Sequence, residues 1–274
     1  MKRILAVILI ATVLLSACAG DPAPTTPPTI APTDPSTVAP TTVPPTTPPT
    51  DAPTTEPPTE PPTEPVVEHS SLYIDWLSVE EVILYFNEVV LDAEYKNAGD
   101  STLLQKWTSP ITYWIGGDPT DEDLARMDMI VNNLNAIEGF PGMYEADGEW
   151  TSNMQIYFCT HQELVDKMGY GYNLDGAVTF WFNDANQIYY SVICVRTDLD
   201  QFLRNSVLLE EIYNGLGPVQ DTTLRTDSII SQSYNEVQQM TKIDLLILQL
   251  LYHPDMKCGM NAAQCEEVIR QLYY

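Results

Sequence analysis

The sequence predicts an α/β (α+β) domain, a small mixed sheet with packed helices, preceded by a disordered Pro/Thr-rich tether. Helical segments that begin with capping residues alternate with β-rich runs along the second part of the chain, which predicts the domain. Residues 21–65 contain mostly Pro and Thr with a few acidic residues. Such a segment has too little apolar surface to offset the entropy of folding, which predicts the tether.

The first residues are typical of an export signal. A short basic start precedes an apolar run over residues 4–15, which is too short to span a bilayer. The run ends in "LSAC", which resembles the lipobox of bacterial lipoproteins. That resemblance implies a signal peptide over residues 1–17, a lipidated Cys18, and a protein anchored to the outer face of the bacterial cytoplasmic membrane. An ordinary secretory signal followed by a chance cysteine is the alternative.

The tether, residues 18–65, should hold the domain away from the membrane. Pro-rich chains favour the extended polyproline II conformation at about 3.1 Å per residue, which gives a stalk on the order of 140 Å. Its threonines could carry O-linked sugars. Residues 66–274 remain as one domain of ordinary size.

Local signals predict the elements of this domain in chain order. Its first half should contain a helix over residues 79–95 capped by Ser78, a strand near 111–115, a helix between Thr120 and Gly139, and a strand in "NMQIYFC". Its second half should contain a helix in "HQELVDKM", a hairpin of "GAVTFWF" and "QIYYSVICV", a helix over 199–216, a helix between Thr241 and Pro254, and a last helix in "NAAQCEEVIRQLYY".

The charge of the chain restricts its partners. A net charge of −26 repels nucleic acid and anionic lipid headgroups, so we expect no nucleic-acid partner. It suits cations or cationic ligands, although solubility alone is enough to explain it. Tyr170, Tyr172, Tyr273 and Tyr274 are candidates for binding a glycan or a peptide if they are exposed. A protein or a cell-wall component is therefore the expected type of ligand.

The cysteines indicate an oxidising compartment. Four remain after Cys18, and an even number in an exported domain is compatible with two disulfides. Of the three possible pairings we favour Cys159–Cys194 and Cys258–Cys265, the second closing a short loop. Zinc binding is the other use for four cysteines, but a C-x-x-C spacing is missing.

The candidate site lies in "LLEEIYNGLGPVQD", residues 208–221. This segment fits the spacing of the zinc-protease frame H-E-x-x-H-x-x-G, with Glu211 and Gly217 at matching positions. Glu210 and Asn214, however, stand where the two histidines belong. Zinc favours neutral nitrogen or thiolate ligands, so a carboxylate with amides is a poor zinc site. We therefore expect no zinc and assign no catalytic residue with confidence from this motif.

Several pieces resemble metzincin-type zinc proteases in the same order. "EEIYNGLG" is similar to their active-site helix, "DSIIS" to their Met-turn with Ile230 in place of the methionine, and "MTKIDLLILQLLY" to their closing helix. The combination also resembles the bacterial family called domain of unknown function 2927. The resemblance implies a zincin-like fold with a degenerate motif, in which Glu210, Asn214 and Gln220 occupy the ligand positions and Glu211 that of the general base.

Three functions remain open at this point. The favoured one is a non-catalytic binding or structural role at the cell envelope. The second is a divergent metal-dependent peptidase or hydrolase whose ligands have been replaced. The third is a calcium-stabilised binding domain, because oxygen atoms of Glu210, Asp221 or Asp227 suit calcium better than zinc.

Glu210 and Glu211 are weak candidates for joint acid–base chemistry. Adjacent residues of a helix point about 100° apart, so these two side chains should not face one substrate atom. Two carboxylates perform such chemistry only if their environments separate their pKa values. We expect either of them to bind backbone groups or an arginine, such as Arg204 or Arg225.

Overall fold

The computed structural model describes residues 7–8, 70–92, 103–169, 173–233 and 236–274. Cys18, the tether, most of the predicted signal peptide and the candidates Tyr170 and Tyr172 lie outside the described residues. Within those ranges, no helix combines the length and the apolar character that a bilayer crossing requires.

The described part of the chain forms seven strands and six α-helices. The strands are β1 (Val7–Ile8), β2 (Lys106–Trp107), β3 (Ile111–Gly117), β4 (Met143–Glu145), β5 (Met154–Cys159), β6 (Gly176–Phe182) and β7 (Gln187–Arg196). The helices are α1 (Val79–Phe86), α2 (Asp121–Asn135), α3 (His161–Met168), α4 (Gln201–Gly215), α5 (Lys242–Tyr252) and α6 (Ala262–Leu272). A π-turn (Asn87–Leu91) follows α1, and a 3₁₀ turn (Glu149–Thr151) precedes β5.

The strands form one mixed sheet in the order β1-β6-β7-β5-β3-β4, with β2 beside the start of β7. Strands β4, β3, β5 and β7 run parallel to one another, whereas β6 is antiparallel to β7. Val7 and Ile8, in the predicted signal peptide, pair antiparallel with Phe180 and Thr179 on the outer edge of β6. The mixed α/β architecture predicted from the sequence is therefore confirmed.

Most helix starts lie where the sequence predicts them. Ser78, Thr120, Thr160 and Thr241 each accept a hydrogen bond from the backbone three residues on, and the acidic residue there bonds back to the cap. The hairpin of β6 and β7 is also confirmed, and its turn holds Asn186 at φ 59°. The short strands β2 and β4 were not predicted, because two or three residues carry no alternating pattern.

The helix predicted over residues 79–95 is wrong in its second half. Regular α-helix ends at Phe86, the π-turn follows, and Asp92 is already extended. The Val89 carbonyl accepts hydrogen bonds from the backbone N–H groups of Val219 (2.7 Å) and Gln220 (3.3 Å). The π-turn thus directs the Val89 carbonyl towards a segment that lies 130 residues further along the chain.

The predicted disulfides are not formed. Cys159, Cys194, Cys258 and Cys265 are all free thiols. Cys159 and Cys194 lie on the neighbouring strands β5 and β7, but the register pairs Cys194 with Tyr157, so the two cysteines meet only diagonally. The two thiols are neighbours without a covalent bond, and each shifts the pKa of the other, downwards at Cys159 and upwards at Cys194. Cys258 contacts the Lys106 carbonyl, at 3.8 Å from sulfur to oxygen.

Asp244 connects three helices and a loop through its carboxylate and its main-chain carbonyl. It is fully buried and accepts hydrogen bonds from Thr241 Oγ1 (2.7 Å), Ser228 Oγ (2.6 Å) and the Ile229 N–H (3.3 Å). The Ser228 hydroxyl in turn accepts from Tyr85 of α1, and the Asp244 carbonyl accepts from Tyr213 of α4. Asp244 therefore fixes α1, α4 and α5 relative to the loop around residue 228.

Replacing Asp244 by Ala should destabilise the domain strongly. The change leaves the buried donors of Ser228 and Ile229 without an acceptor, so the free energy of unfolding should fall by about 3 kcal/mol or more. The matched control is Glu163→Ala, which removes the same kind of capping carboxylate from the exposed start of α3 and should cost about 1 kcal/mol. Urea unfolding of both variants measures the difference, and equal losses would show that Asp244 acts only as a local cap.

Candidate functional site

Helix α4 carries the candidate site and is buried along most of its length. Its inner face packs on the sheet, where Gly215 lies against Val178, Ile193 and Met154. Its last turn is fixed by Trp107, whose indole Nε1 donates to the Gly215 carbonyl at 2.9 Å. The helix predicted over residues 199–216 is confirmed, with bounds at Gln201 and Gly215.

Glycines permit the close packing at both edges of the site. A Cβ atom at Gly176, the first residue of β6, would lie 2.8 Å from Glu211 Oε1 and 2.4 Å from Val207. Gly217 has φ 131°, and a Cβ there would lie 2.8 Å from the Gln105 carbonyl oxygen. Gly217 therefore permits the chain to turn back after α4 and to approach it again at Asp221.

Four side chains form what we call the acidic cluster: Glu210, Glu211, Asn214 and Asp221. Glu210 and Asn214 are four residues apart on α4, and Glu211 and Asn214 are three apart, so helical geometry makes them neighbours. Glu211 is 2% exposed and Asn214 is fully buried, whereas Glu210 and Asp221 are half-buried. The cluster thus has a buried floor of Glu211 and Asn214 and a rim that solvent reaches.

The floor of the acidic cluster contains unsatisfied polar atoms. Glu211 Oε2 and both side-chain amide atoms of Asn214 are buried and have no hydrogen-bond partner. Buried polar groups in folded proteins are nearly always paired, and an unpaired group costs about 1–3 kcal/mol. An arrangement of this kind is stable only because the rest of the domain fixes α4, and such groups are candidates for contact with a ligand.

Negative charges oppose ionisation throughout the acidic cluster. Burial raises the pKa of Glu210 well above its usual range, and the nearby charges of Asp221, Glu211 and Asp175 raise it further. Burial also raises the pKa of Glu211, with Asp221 as the second cause. No arginine or lysine contributes to either shift. The side chains therefore share protons or require a positive charge from outside.

The expectation that an arginine neutralises one of these glutamates is wrong. Arg204 Nε lies 3.1 Å from the buried carboxylate of Asp123, and Arg225 forms a bidentate pair with Asp227 at 2.9 and 2.8 Å. These pairs form because Asp123 caps α2 beside α4, and Asp227 is two residues from Arg225. Asp227 is consequently occupied elsewhere and does not join Glu210 and Asp221.

The structure brings together only part of the ligand set that the resemblance implies. Gln220 lies after the turn at Gly217, but its Nε2 donates to the Asp221 carbonyl at 3.2 Å. Asp221, which the zinc-protease frame does not use, lies close enough to influence both glutamates. Asp175 and Gly176 were not predicted at all, since no spacing rule connects the start of β6 to α4.

The aromatic candidates at the C-terminus differ from each other. Tyr273 is fully buried, and its hydroxyl donates to the Leu77 carbonyl at 2.7 Å, so the expectation that it is an exposed binding residue is wrong. It holds the segment before α1 against the end of α6. Tyr274 is 61% exposed and packs edge-on against Tyr273.

The side chains present do not fit zinc. One carboxylate and two amides lack the nitrogen and thiolate donors that zinc prefers. Within the described ranges, no group of three or more His, Cys, Asp or Glu side chains is arranged to hold a metal ion. The site can instead hydrogen-bond a positively charged donor, or exchange protons between carboxyl groups.

The comparisons with known proteins concern most of this domain. Residues 80–271 match the family described as "Protein of unknown function (DUF2927)", which is well over half of the chain. No curated protein matches the chain. The match includes the acidic cluster, so the site lies inside the family's own domain.

The charge of Glu211 should make the protein less stable as the pH rises. Its pKa is raised in the folded state, whereas a glutamate in the unfolded chain titrates near about 4.3. The folded state therefore binds more protons, and stability falls as the pH rises from roughly 4.3 through the raised pKa. Glu211→Gln should remove this loss and stabilise the protein at pH 7, by about 1.4 kcal/mol for each pH unit between roughly 4.3 and the raised pKa, counted only up to pH 7.

Thermal unfolding between pH 4 and pH 8 tests this expectation. Glu145→Gln, at an exposed position at the end of β4, removes the same charge outside the acidic cluster and should leave the pH profile unchanged. If Glu211→Gln is less stable than the unmodified protein by the same amount at every pH, the side chain is ionised and satisfied in the fold.

Proposed function

The chain belongs to the DUF2927 family of proteins of unknown function, and from that premise we propose that it is a surface lipoprotein whose domain binds a positively charged ligand and does not cleave peptides. The ligand is a protein or cell-wall component that presents an ammonium or guanidinium group. The acidic cluster is its binding site. A domain of this kind is a pseudoenzyme on a zincin-like fold that has lost its zinc ligands.

One observation carries the proposal: Glu211 Oε2 and the Asn214 amide are buried without partners beneath the half-buried Glu210 and Asp221. A primary ammonium has three donors and a guanidinium has five, which matches a floor and rim rich in oxygen acceptors. Bringing such a cation next to buried carboxylates lowers their pKa and removes the cost of leaving them unpaired. The net charge of −26 attracts the same kind of ligand from a distance.

The zincin-like part of the proposal rests on order and position. Helix α4 carries the acidic cluster, the loop around Ser228 follows it, and α5 closes the domain, in the order of the metzincin pieces. Ile230 lies buried in that loop, where the proteases have methionine. The donor set described above does not suit zinc, so no zinc-dependent step belongs to this function.

A second candidate function is hydrolysis without zinc. Glu210 and Asp221 are both half-buried, and burial together with the charge of Asp221 raises the pKa of Glu210, so one protonated and one ionised carboxyl group of this pair can act as acid and base. This alternative requires peptide or ester cleavage without zinc. The calcium-stabilised domain is the third possibility, and it requires that calcium raise the melting temperature through mass action.

Calorimetric titration of the purified protein separates these functions. We expect a lysine-rich peptide to bind, and its fully acetylated form to bind at least about tenfold more weakly, which corresponds to about 1.4 kcal/mol. Glu211→Gln should cause a similar loss, whereas Glu145→Gln should not. Stoichiometric zinc, lost together with peptide cleavage on chelation, would contradict the proposal. Cleavage that survives chelation and disappears in Glu210→Gln would favour the hydrolase, and tight calcium binding would favour the third function.

Lipid anchoring is tested separately at Cys18. Cys18→Ser removes the thiol that carries the lipid, so the variant should fail to incorporate a labelled fatty acid and should leave the detergent-rich phase on phase separation. Membrane binding by one or more acyl chains amounts to about 0.8 kcal/mol per buried CH₂ group, so its loss is readily detected. Fatty-acid labelling that persists in Cys18→Ser would show that the cysteine is not the attachment site.

A further inference from the structure

A groove lies beside helix α2, lined by residues that do not belong to the acidic cluster. One part is a cavity of about 370 Å³ lined by Arg126, Ile130, Asn133 and residues 238–240, among others. A second cavity, of about 340 Å³, shares Asn133, Gln239 and Met240 with the first and continues to Leu245 and Gln249 of α5. The two hollows therefore form one elongated groove between α2 and α5.

Arg126 is the unusual residue of this groove. Only 8% of the residue is exposed, and among the described residues its guanidinium makes one hydrogen bond, from Nη2 to the Gln238 carbonyl. Its Nε is buried without a hydrogen-bond partner, and so is that of the similarly buried Arg204. Arg204 Nε, however, lies 3.1 Å from the carboxylate of Asp123, whereas Arg126 forms no ion pair within the described residues.

An unpaired buried guanidinium is unexpected in this protein. Removing an ion from water costs on the order of several kcal/mol unless a nearby opposite charge compensates for the lost hydration. The chain has 38 acidic residues and 12 basic ones, so acidic partners are abundant, yet none of those in the described ranges forms an ion pair with Arg126. The remaining donors of its planar fork fit a carboxylate, which accepts two parallel hydrogen bonds.

The rest of the groove suits a peptide chain. Asn133, Gln239 and Gln249 place side-chain amides along its length, and each amide offers both a donor and an acceptor to peptide groups. Met129, Ile130 and Met240 provide apolar contact surface, and methionine adapts readily to side chains of different shape. The groove is longer than one small anion, because it consists of both cavities.

We propose that this groove binds the C-terminal segment of a peptide, with the free α-carboxylate on Arg126 and the preceding residues along α2 towards α5. This groove shares no residue with the acidic cluster, and it binds a negatively charged group where the cluster binds a positively charged one. Loss of one activity therefore leaves the other measurable.

Binding of a peptide pool to the full-length protein tests the proposal. The probe is a randomised pool of N-acetylated tetrapeptides with a free carboxylate, compared with the same pool ending in a carboxamide. We expect the acid pool to shift the NMR signals of residues 238–240 and of the Arg126 side chain, and the amide pool to require at least about tenfold higher concentration. Equal binding of both pools, or no binding of the acid pool at millimolar concentration, would overturn the proposal.

Variants distinguish recognition from a structural role. Arg126→Gln should weaken binding of the acid pool at least tenfold, whereas Arg270→Gln, which removes an exposed arginine paired with Glu80 and Glu266, should not. Asn133→Ala leaves the bond between Arg126 and Gln238 intact and should weaken binding several-fold, so the proposal remains testable if Arg126→Gln does not fold. A lower melting temperature of Arg126→Gln with unchanged binding would assign the residue to structure alone.

Competition identifies what the guanidinium recognises. Acetate should displace the acid pool weakly, because it supplies the carboxylate without the peptide groups. Inorganic phosphate that displaces the pool as well as an unlabelled acid tetrapeptide would show a general anion site and overturn the assignment to peptides.

Discussion

The buried carboxylate of Asp244 is the interaction on which the acidic cluster depends. It holds Ser228 and the Ile229 N–H, and so orders the loop over residues 228–231. In that loop, the Ile230 carbonyl accepts a hydrogen bond from the Thr222 N–H (2.8 Å). Thr222 follows Asp221 directly, so the position of the fourth member of the cluster derives from a side chain on α5. Tyr213 bonds the Asp244 carbonyl and fixes α4 from the other direction.

Buried charges in this domain fall into two groups, and the difference indicates where ligands bind. Asp244 has four donors, Asp123 has Arg204, and the Lys106 ammonium donates to the carbonyls of Leu251 (2.7 Å) and Met256 (2.5 Å). These groups are satisfied within the fold, and they stabilise its architecture. Glu211 and Arg126 each have a buried atom without a hydrogen-bond partner and, within the described residues, no ion pair, whereas Arg204 Nε lacks a hydrogen bond but is paired with Asp123. The two proposed ligand sites therefore lie where a buried ionisable group has no opposite charge within the described part of the fold.

The local signals of the sequence account for the element starts and for the mixed architecture. Each capping box involves residues three apart, so its hydrogen bonds form within one turn and depend little on the rest of the fold. The hairpin of β6 and β7 follows likewise from its own turn residues. Of the candidate site, the sequence also identified Glu210, Glu211 and Asn214 as positions of one motif on one helix, and Glu210 and Asn214 share a helical face because they are four residues apart.

Contacts between distant segments were decided by the tertiary structure alone. The Val89 carbonyl of the π-turn after α1 accepts hydrogen bonds from Val219 and Gln220, and Arg204 pairs with Asp123 of α2. The diagonal placement of Cys159 and Cys194 follows from the register of β5 and β7. Asp221 joined the acidic cluster because the chain turns at Gly217 and is then held by the π-turn after α1 and by the 228–231 loop. Spacing along a sequence determines what lies on one helix, but it carries no information on which loop the packing brings against that helix.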